Sequence, residues 1–389
     1  MKKATFLFAG LALIAASCSE TEIVNSTTQE TPETINFSAY ANRLTKAVQT
    51  DVTTANLESF NVTAIGNNAV YFDDITFKKG SSGVWESKTE YAWPNYALDF
   101  YAYNIPVNNN EQDPTVFSHL IDNGENKRLI VTPAKTIEHQ EDFVVAEALR
   151  QTLASTSGND HHAVNLTFSH YLTQFVIEAK NSQPNNYTVE VSGVKITNIA
   201  GTGVYTFSNN QMTASTTENV KTDYSVSFES KELDSSKRKV MGENGYGQWY
   251  LVPQTVTPWV QSSDITNTAN GAYLALKVRI AVPNGDKVYP KTTDENGKQA
   301  YAWMAMPMPS VVSDAMEYAY AQGKKYTIIF NFFSDGTGAG FVDPQEPGDL
   351  DGDGSTEDDK GQPIGGHVIK FNATVEDWDA DNTTITINL

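Results

Sequence analysis

Period-two alternation of apolar and polar residues, repeated along most of the chain, is the feature that most limits what this sequence can fold into. Ile35, Phe37, Ala39 and Ala41 alternate with mostly polar residues, and so do Phe60, Val62 and Ala64. The pattern recurs at Val164, Leu166 and Phe168, and at Tyr224, Val226 and Phe228. It returns at Leu274, Leu276, Val278, Ile280 and Val282, and at Ile369, Phe371, Ala373 and Val375. Successive side chains of a strand point to opposite faces, so this spacing puts one face in a core and the other in water. Turn clusters separate the runs, among them Gly66-Asn67-Asn68, residues 79–83 and residues 104–110. Many short strands between such turns predict an all-β chain built of sandwiches. One short helix is expected over residues 311–322, where Val312, Ala315, Met316 and Ala319 share a face and Gly and Pro are absent. Gly323 is placed to close it in the left-handed conformation.

The chain of 389 residues has room for two domains of ordinary size. The polar stretch 181–186 is the expected break, giving an N-terminal domain over 35–183 and a C-terminal domain over 184–389. Residues 334–366, rich in Gly, Asp and Pro, read as a loop, and 18–34 as a Ser/Thr/Glu-rich tether. No internal repeat is evident.

The first residues carry an address. Lys2 and Lys3 precede an apolar run over 4–16, too short to span a bilayer as a helix, and Ala15, Ala16 and Ser17 lead to Cys18. This segment resembles a bacterial lipobox, which implies a signal peptide over 1–17 and acylation of Cys18. Residues Ser19-Glu20-Thr21-Glu22 resemble the acidic surface-export tag of Bacteroidales lipoproteins. An acylated Cys18 holds the product at the outer membrane, facing outward. Cys18 is the only cysteine, so no intrachain disulfide can form. The net charge of −20 argues against sequence-independent nucleic-acid binding, which needs positive surface. The sequence shows no phosphate loop, nucleophile elbow or zinc-protease pattern, so an enzyme is not expected.

A set of ordered local patterns adds a family resemblance. Glu90-Tyr91-Ala92-Trp93-Pro94 is followed by Leu98-Asp99-Phe100-Tyr101-Ala102-Tyr103, then by Gln140-Glu141-Asp142-Phe143-Val144-Val145-Ala146. Val164-Asn165-Leu166-Thr167-Phe168-Ser169-His170-Tyr171-Leu172 comes next. The second half adds Val194-Lys195-Ile196, Gly203-Val204-Tyr205 and Leu251-Val252-Pro253-Gln254. Gly323-Lys324-Lys325-Tyr326-Thr327 and Val375-Glu376-Asp377-Trp378 complete the set. In this order they resemble the fimbrillin family of Bacteroidales, builders of type V pili. The resemblance implies two tandem transthyretin-like Greek-key β-sandwich domains, export as a lipoprotein and polymerisation by strand exchange. A protease cuts after an N-terminal strand, and the C-terminal strand of a neighbour fills the vacated groove. Implied partners are other pilin subunits, alike or different, the outer membrane through the lipid, and a host or bacterial surface receptor.

Residues matching these parts are present. The leaving strand is expected over 35–41, with Ile35, Phe37 and Ala39 on one face, and Arg43 is the carried-over cleavage point with Lys46 as second choice. The donor strand is expected over 383–389, with Ile385, Ile387 and Leu389 on one face. Both segments are short, alternating and apolar on one side, as β-strand addition requires.

Other groups carry alternative readings. Asp349, Asp351 and Asp353 alternate ahead of Gly354, a pattern that wraps a Ca²⁺ ion or stands as a solvated acidic loop; no other cofactor is expected. His170 shares strand parity with Phe168 and reads as a buried, hydrogen-bonded residue, while His161-His162 read as an exposed turn. Trp93 and Tyr101 suit a sandwich core. The rival function is a monomeric surface lipoprotein binding a glycan or other ligand, with Trp259 or Trp303 stacking on sugars.

Overall fold

The alternating runs become strands wherever one face finds a core. The computed structural model describes residues 33–41, 51–106, 112–122, 126–215, 221–241, 247–260, 271–311, 318–334, 338–366, 369–377 and 385–388. Its N-terminal part carries β1 (Phe37–Ala41), β2 (Ser59–Gly66), β3 (Ala69–Lys79), β4 (Trp85–Ser87), β5 (Leu98–Asn104), β6 (Val116–Asp122), β7 (Asn126–Thr132), β8 (Val144–Gln151) and β9 (Val164–His170). Next come β10 (Thr173–Asn181), β11 (Thr188–Ala200), β12 (Gly203–Thr206), β13 (Gln211–Ala214), β14 (Lys221–Glu232), β15 (Arg238–Lys239), β16 (Trp249–Leu251) and β17 (Gln254–Thr255). The last group is β18 (Tyr273–Ala281), β19 (Lys287–Tyr289), β20 (Ala302–Pro307), β21 (Ala319–Tyr320), β22 (Lys324–Phe332), β23 (Phe341–Val342), β24 (Lys370–Asp377) and β25 (Ile385–Asn388). The fold is all-β, and among the described residues the only helices are short 3-10 turns.

The N-terminal sheet runs β1-β4-β3-β2-β5-β8-β9 and returns to β1, so it closes into a barrel. Phe37, Phe60, Phe77, Phe100 and Phe168 fill its interior. The C-terminal unit is a sandwich. One sheet runs β14-β11-β18-β20-β23 with β19 beside β18, the other β15-β10-β22-β24-β25 with β16 beside β10. Val194, Ile196, Leu274 and Leu276 of the first share a core with Ile177, Ile328 and Phe330 of the second. Gly340 turns the chain into β23 at a φ of +89°, where a Cβ would lie 2.3 Å from Met304 Sδ. Only glycine fits both constraints.

Two expectations change. The passage between units falls at His170–Thr173, because β10 pairs with β22 and β16 in the C-terminal sandwich. The 181–186 stretch is a turn inside that unit, held by the Asn181 amide donating to Tyr187 O at 2.7 Å and the Gln183 amide donating to Phe333 O at 2.9 Å. Its polarity marked a tight turn, whereas the true crossing, Tyr171 and Leu172, is buried and apolar. The helix expected over 311–322 is not formed where it is described. Residues 319–320 are strand β21, paired with β17, and residues 312–317 lie outside the described residues. Tyr320 packs on Phe175 and Tyr326, and this burial overrides a helical spacing of apolar residues. Gly323 does take a positive φ, but in the turn from β21 to β22.

A third layer joins the two units. β6 and β7 pair with each other, and β7 pairs with β12, which pairs with β13, making one four-stranded sheet from both halves. Leu129, Val131, Phe143, Tyr205, Phe207 and Tyr250 bury a core of their own beneath it.

Candidate strand-exchange site

β1 fills a slot between β4 and β9. It runs parallel to β9 from Phe37↔Val164 to Ala41↔Phe168, yet meets β4 only at Phe37↔Trp85. Alternation decides which side chains enter. Ile35, Phe37, Ala39 and Ala41 are buried, while Tyr40 is 53% exposed. The Phe37 ring stands edge-on to Phe77 at 4.7 Å, Phe100 at 5.1 Å and Phe60 at 6.1 Å. Burial of Ile35 and Phe37 contributes about 1.5–3 kcal/mol each. Backbone bonds pin the ends of the approach: Ile35 N donates to Tyr91 O at 2.8 Å, Trp93 N to Glu33 O at 3.0 Å and Val164 N to Asn36 O at 2.8 Å.

The chain beyond β1 is moored separately. Ala41 N donates to Thr54 Oγ1, and the Thr54 hydroxyl donates back to Ala41 O, both at 2.9 Å. Asp51 is buried and accepts from Tyr250 OH at 2.5 Å and from Gln174 Nε2 at 3.0 Å, both on the C-terminal unit. Val52 N donates to Asp142 Oδ2 at 2.9 Å, and the same oxygen lies 2.7 Å from His170 Nδ1. Arg43 and Lys46 fall in the 42–50 stretch between these moorings, outside the described residues, as does Cys18. Asp51 carries no signal in the sequence, because a buried acid in a non-periodic stretch leaves no pattern, and Asp142 shows there only as part of the family pattern, without a role.

At the other end, β25 lies antiparallel on β24, with Val375↔Ile385 and Ala373↔Ile387 in register. Among the described residues it is the last strand of its sheet, with β24 as its partner. Thr383 and Leu389 lie outside the described residues.

The acidic loop is packed rather than free, since Asp349 and Asp359 are buried. Ligand atoms of Asp349, Asp351 and Asp353 lie within 4.8 Å of one another. Asp349 Oδ1 accepts from Gly352 N at 2.6 Å and Asp359 Oδ2 from Leu350 N at 2.6 Å. Burial, reinforced by Asp351, Asp358 and Asp349, holds the Asp359 carboxyl above its ordinary value despite the Leu350 bond. Such a trio is the donor set of a calcium clamp and equally of a charged loop. Calorimetry with calcium on the folded chain separates them: heat at millimolar calcium marks the clamp, and none rejects it.

His170 is buried against Asp142. His161 and His162 sit with positive φ in a 3-10 turn. Trp93 packs edge-on to Phe100, and Tyr101 packs on Phe207. Trp259 is buried against Tyr273 and Phe341, so it presents no face to a sugar. Trp303 lies under the ammonium groups of Lys195 and Lys277.

A closed β-barrel joined to a β-sandwich, with β1 seated between β4 and β9, is the architecture that accompanies the family assignment. The sequence matches the fimbrillin-like family over residues 45–341, and the chain belongs to that family. Among solved structures, a fimbrial protein from Bacteroides vulgatus aligns at 14% identity over 76% of this chain and 94% of its own, with a TM-score of 0.51. Candidate cell adhesion proteins from Bacteroides uniformis and Bacteroides ovatus align at 13% and 12% identity, over 89% and 90% of this chain and 98% and 100% of theirs, with TM-scores of 0.41 and 0.45. No curated protein sequence matches.

Proposed function

We propose that the chain is a fimbrial or adhesive subunit at the cell surface that polymerises by strand exchange. Family membership supports the first part, and the seat of β1 supports the second. In this reading Cys18 carries lipid at the outer membrane until a cut at Arg43, or at Lys46, separates β1 from the Asp51 mooring. Ile35, Phe37 and Ala39 leave, and Ile385, Ile387 and Leu389 of a neighbour enter. The contact is head-to-tail and does not close, so it propagates into a fibre. The observation that carries this is β1 itself: a short strand that completes the barrel with buried aromatic contacts, yet is bonded to β4 at a single residue pair.

Mild trypsin on the purified precursor tests it. Trimming near Arg43 is expected to give ladders on unboiled gels, and removal of 383–389 to abolish them. Trimmed protein that stays monomeric at high concentration overturns the reading in favour of a monomeric binder.

A further inference from the structure

Outside the slot, Lys195, Asp343 and Glu346 form a second cluster of charged groups. Lys195 lies on β11, and the register runs Lys195↔Ala275↔Ala305↔Phe341 straight across β18, β20 and β23. Two alanines in that line leave room for the lysine stem to lie over the sheet toward Asp343, two residues beyond Phe341. Asp343 is fully buried and Lys195 is 5% exposed. Lys195 Nζ lies 3.0 Å from Asp343 Oδ2 and 2.7 Å from Glu346 Oε1. The ring of Trp303 covers the ammonium at 4.8 Å.

The two oxygens of Asp343 are treated unequally. Oδ1 accepts three hydrogen bonds, from Tyr273 OH at 3.0 Å, Gln345 N at 2.8 Å and Glu346 N at 2.9 Å. Oδ2 accepts none among the described residues, although the lysine nitrogen stands beside it. Three preorganised donors on one oxygen are what a carbonyl carbon needs when it is attacked, because the negative charge develops on that oxygen. Burial, with Asp343 adding to it, pushes the Tyr273 phenol up, so its proton stays in place as a donor.

We propose that Lys195 and Asp343 condense into an intramolecular isopeptide bond, with Glu346 moving the protons. Glu346 Oε1 takes a proton from the lysine ammonium, and the free amine attacks Asp343 Cγ. The new bond is Nζ–Cγ, and the bond that breaks is Cγ–Oδ2. Oδ1 remains as the amide oxygen under its three donors. Oδ2 leaves as water, carrying the two protons the nitrogen loses, both passed through Glu346, which ends unchanged. The ion pair therefore becomes one amide and one water, with no oxidant or co-reactant. Fixing the amine against the carboxyl replaces a bimolecular encounter, and burial keeps water from returning to reverse the step. The amide ties β11 to the segment after β23 in a chain whose single cysteine can form no intrachain disulfide. This inference stands independently of strand exchange.

Mass spectrometry of the mature chain under denaturing conditions tests it. The expected mass is one water below that of the same residues without the link, with a branched proteolytic fragment joining the Lys195 and Asp343 peptides. Lys195→Arg is expected to restore the full mass. Glu346→Gln, at the exposed rim of the cluster, keeps the fold and is expected to gain the deficit more slowly. A wild-type chain at full mass after prolonged incubation overturns the proposal. So does a deficit that persists in Lys195→Arg, since water loss at Asp351-Gly352 or elsewhere then accounts for it.

Discussion

At the scale of single residues, a few buried side chains hold the slot and its surroundings together. Phe37 is the largest group that β1 places in the barrel, so Phe37→Ala is expected to destabilise the uncut chain by about 3–5 kcal/mol in denaturant unfolding. If subunits polymerise by the proposed exchange, the same substitution is expected to leave fibres of trimmed subunits unchanged, because β1 would have left them. Asp142 joins Val52 N to His170 at the barrel's end. Replacing it with Ala removes the acceptor of Val52 N and the carboxylate beside the buried His170 imidazole, at a cost of roughly 3 kcal/mol. Asp359 works in the opposite direction. Its folded pKa is raised, so its contribution to stability is greatest when protonated, below the ordinary carboxylate pKa. That contribution is lost as pH rises through the ordinary value toward the folded one. Asp359→Asn is therefore expected to raise the melting temperature at neutral pH and to weaken its acid dependence, as thermal melts across that range will show.

At the scale of elements, strands with one buried face were legible and special cases were not. β1, β2 and β9 follow from alternation alone, because Phe37, Phe60 and Phe168 recur at the spacing that one core demands. The paired strands β17 and β21 did not, because two-residue elements carry no period. Residues 319–320 read as helix for a different reason: a 3.6-residue spacing exists there, but Tyr320 is claimed by Phe175 and Tyr326. The candidate site was half visible. Both β1 and β25 show in the sequence as alternating segments, whereas the Asp51 mooring depends on Gln174 and Tyr250, more than a hundred residues away. Because β25 ends its sheet, deletion of 383–389 is expected to leave the monomer folded, with a circular dichroism spectrum close to that of the full chain. Loss of polymer without loss of fold separates donor function from structural damage.

At the scale of the whole molecule, the two units are built as one body. The sheet formed by β6, β7, β12 and β13, its own core, and the Asp51 bonds to Gln174 and Tyr250 leave no polar linker to act as a hinge. Calorimetry is expected to show a single cooperative transition, and two separated transitions contradict this. A joint without a linker would suit the proposed fibre, in which the slot and the C-terminal strand are the two points of attachment. Engineered cysteines address that path most directly: Leu166→Cys, on the β9 strand beside the slot, paired in turn with Ile385→Cys, Ile387→Cys or Leu389→Cys. Disulfide-linked multimers are expected for at least one pair after trimming near Arg43, and none before it. Crosslinks that form equally well without trimming, or only within single chains, contradict strand exchange.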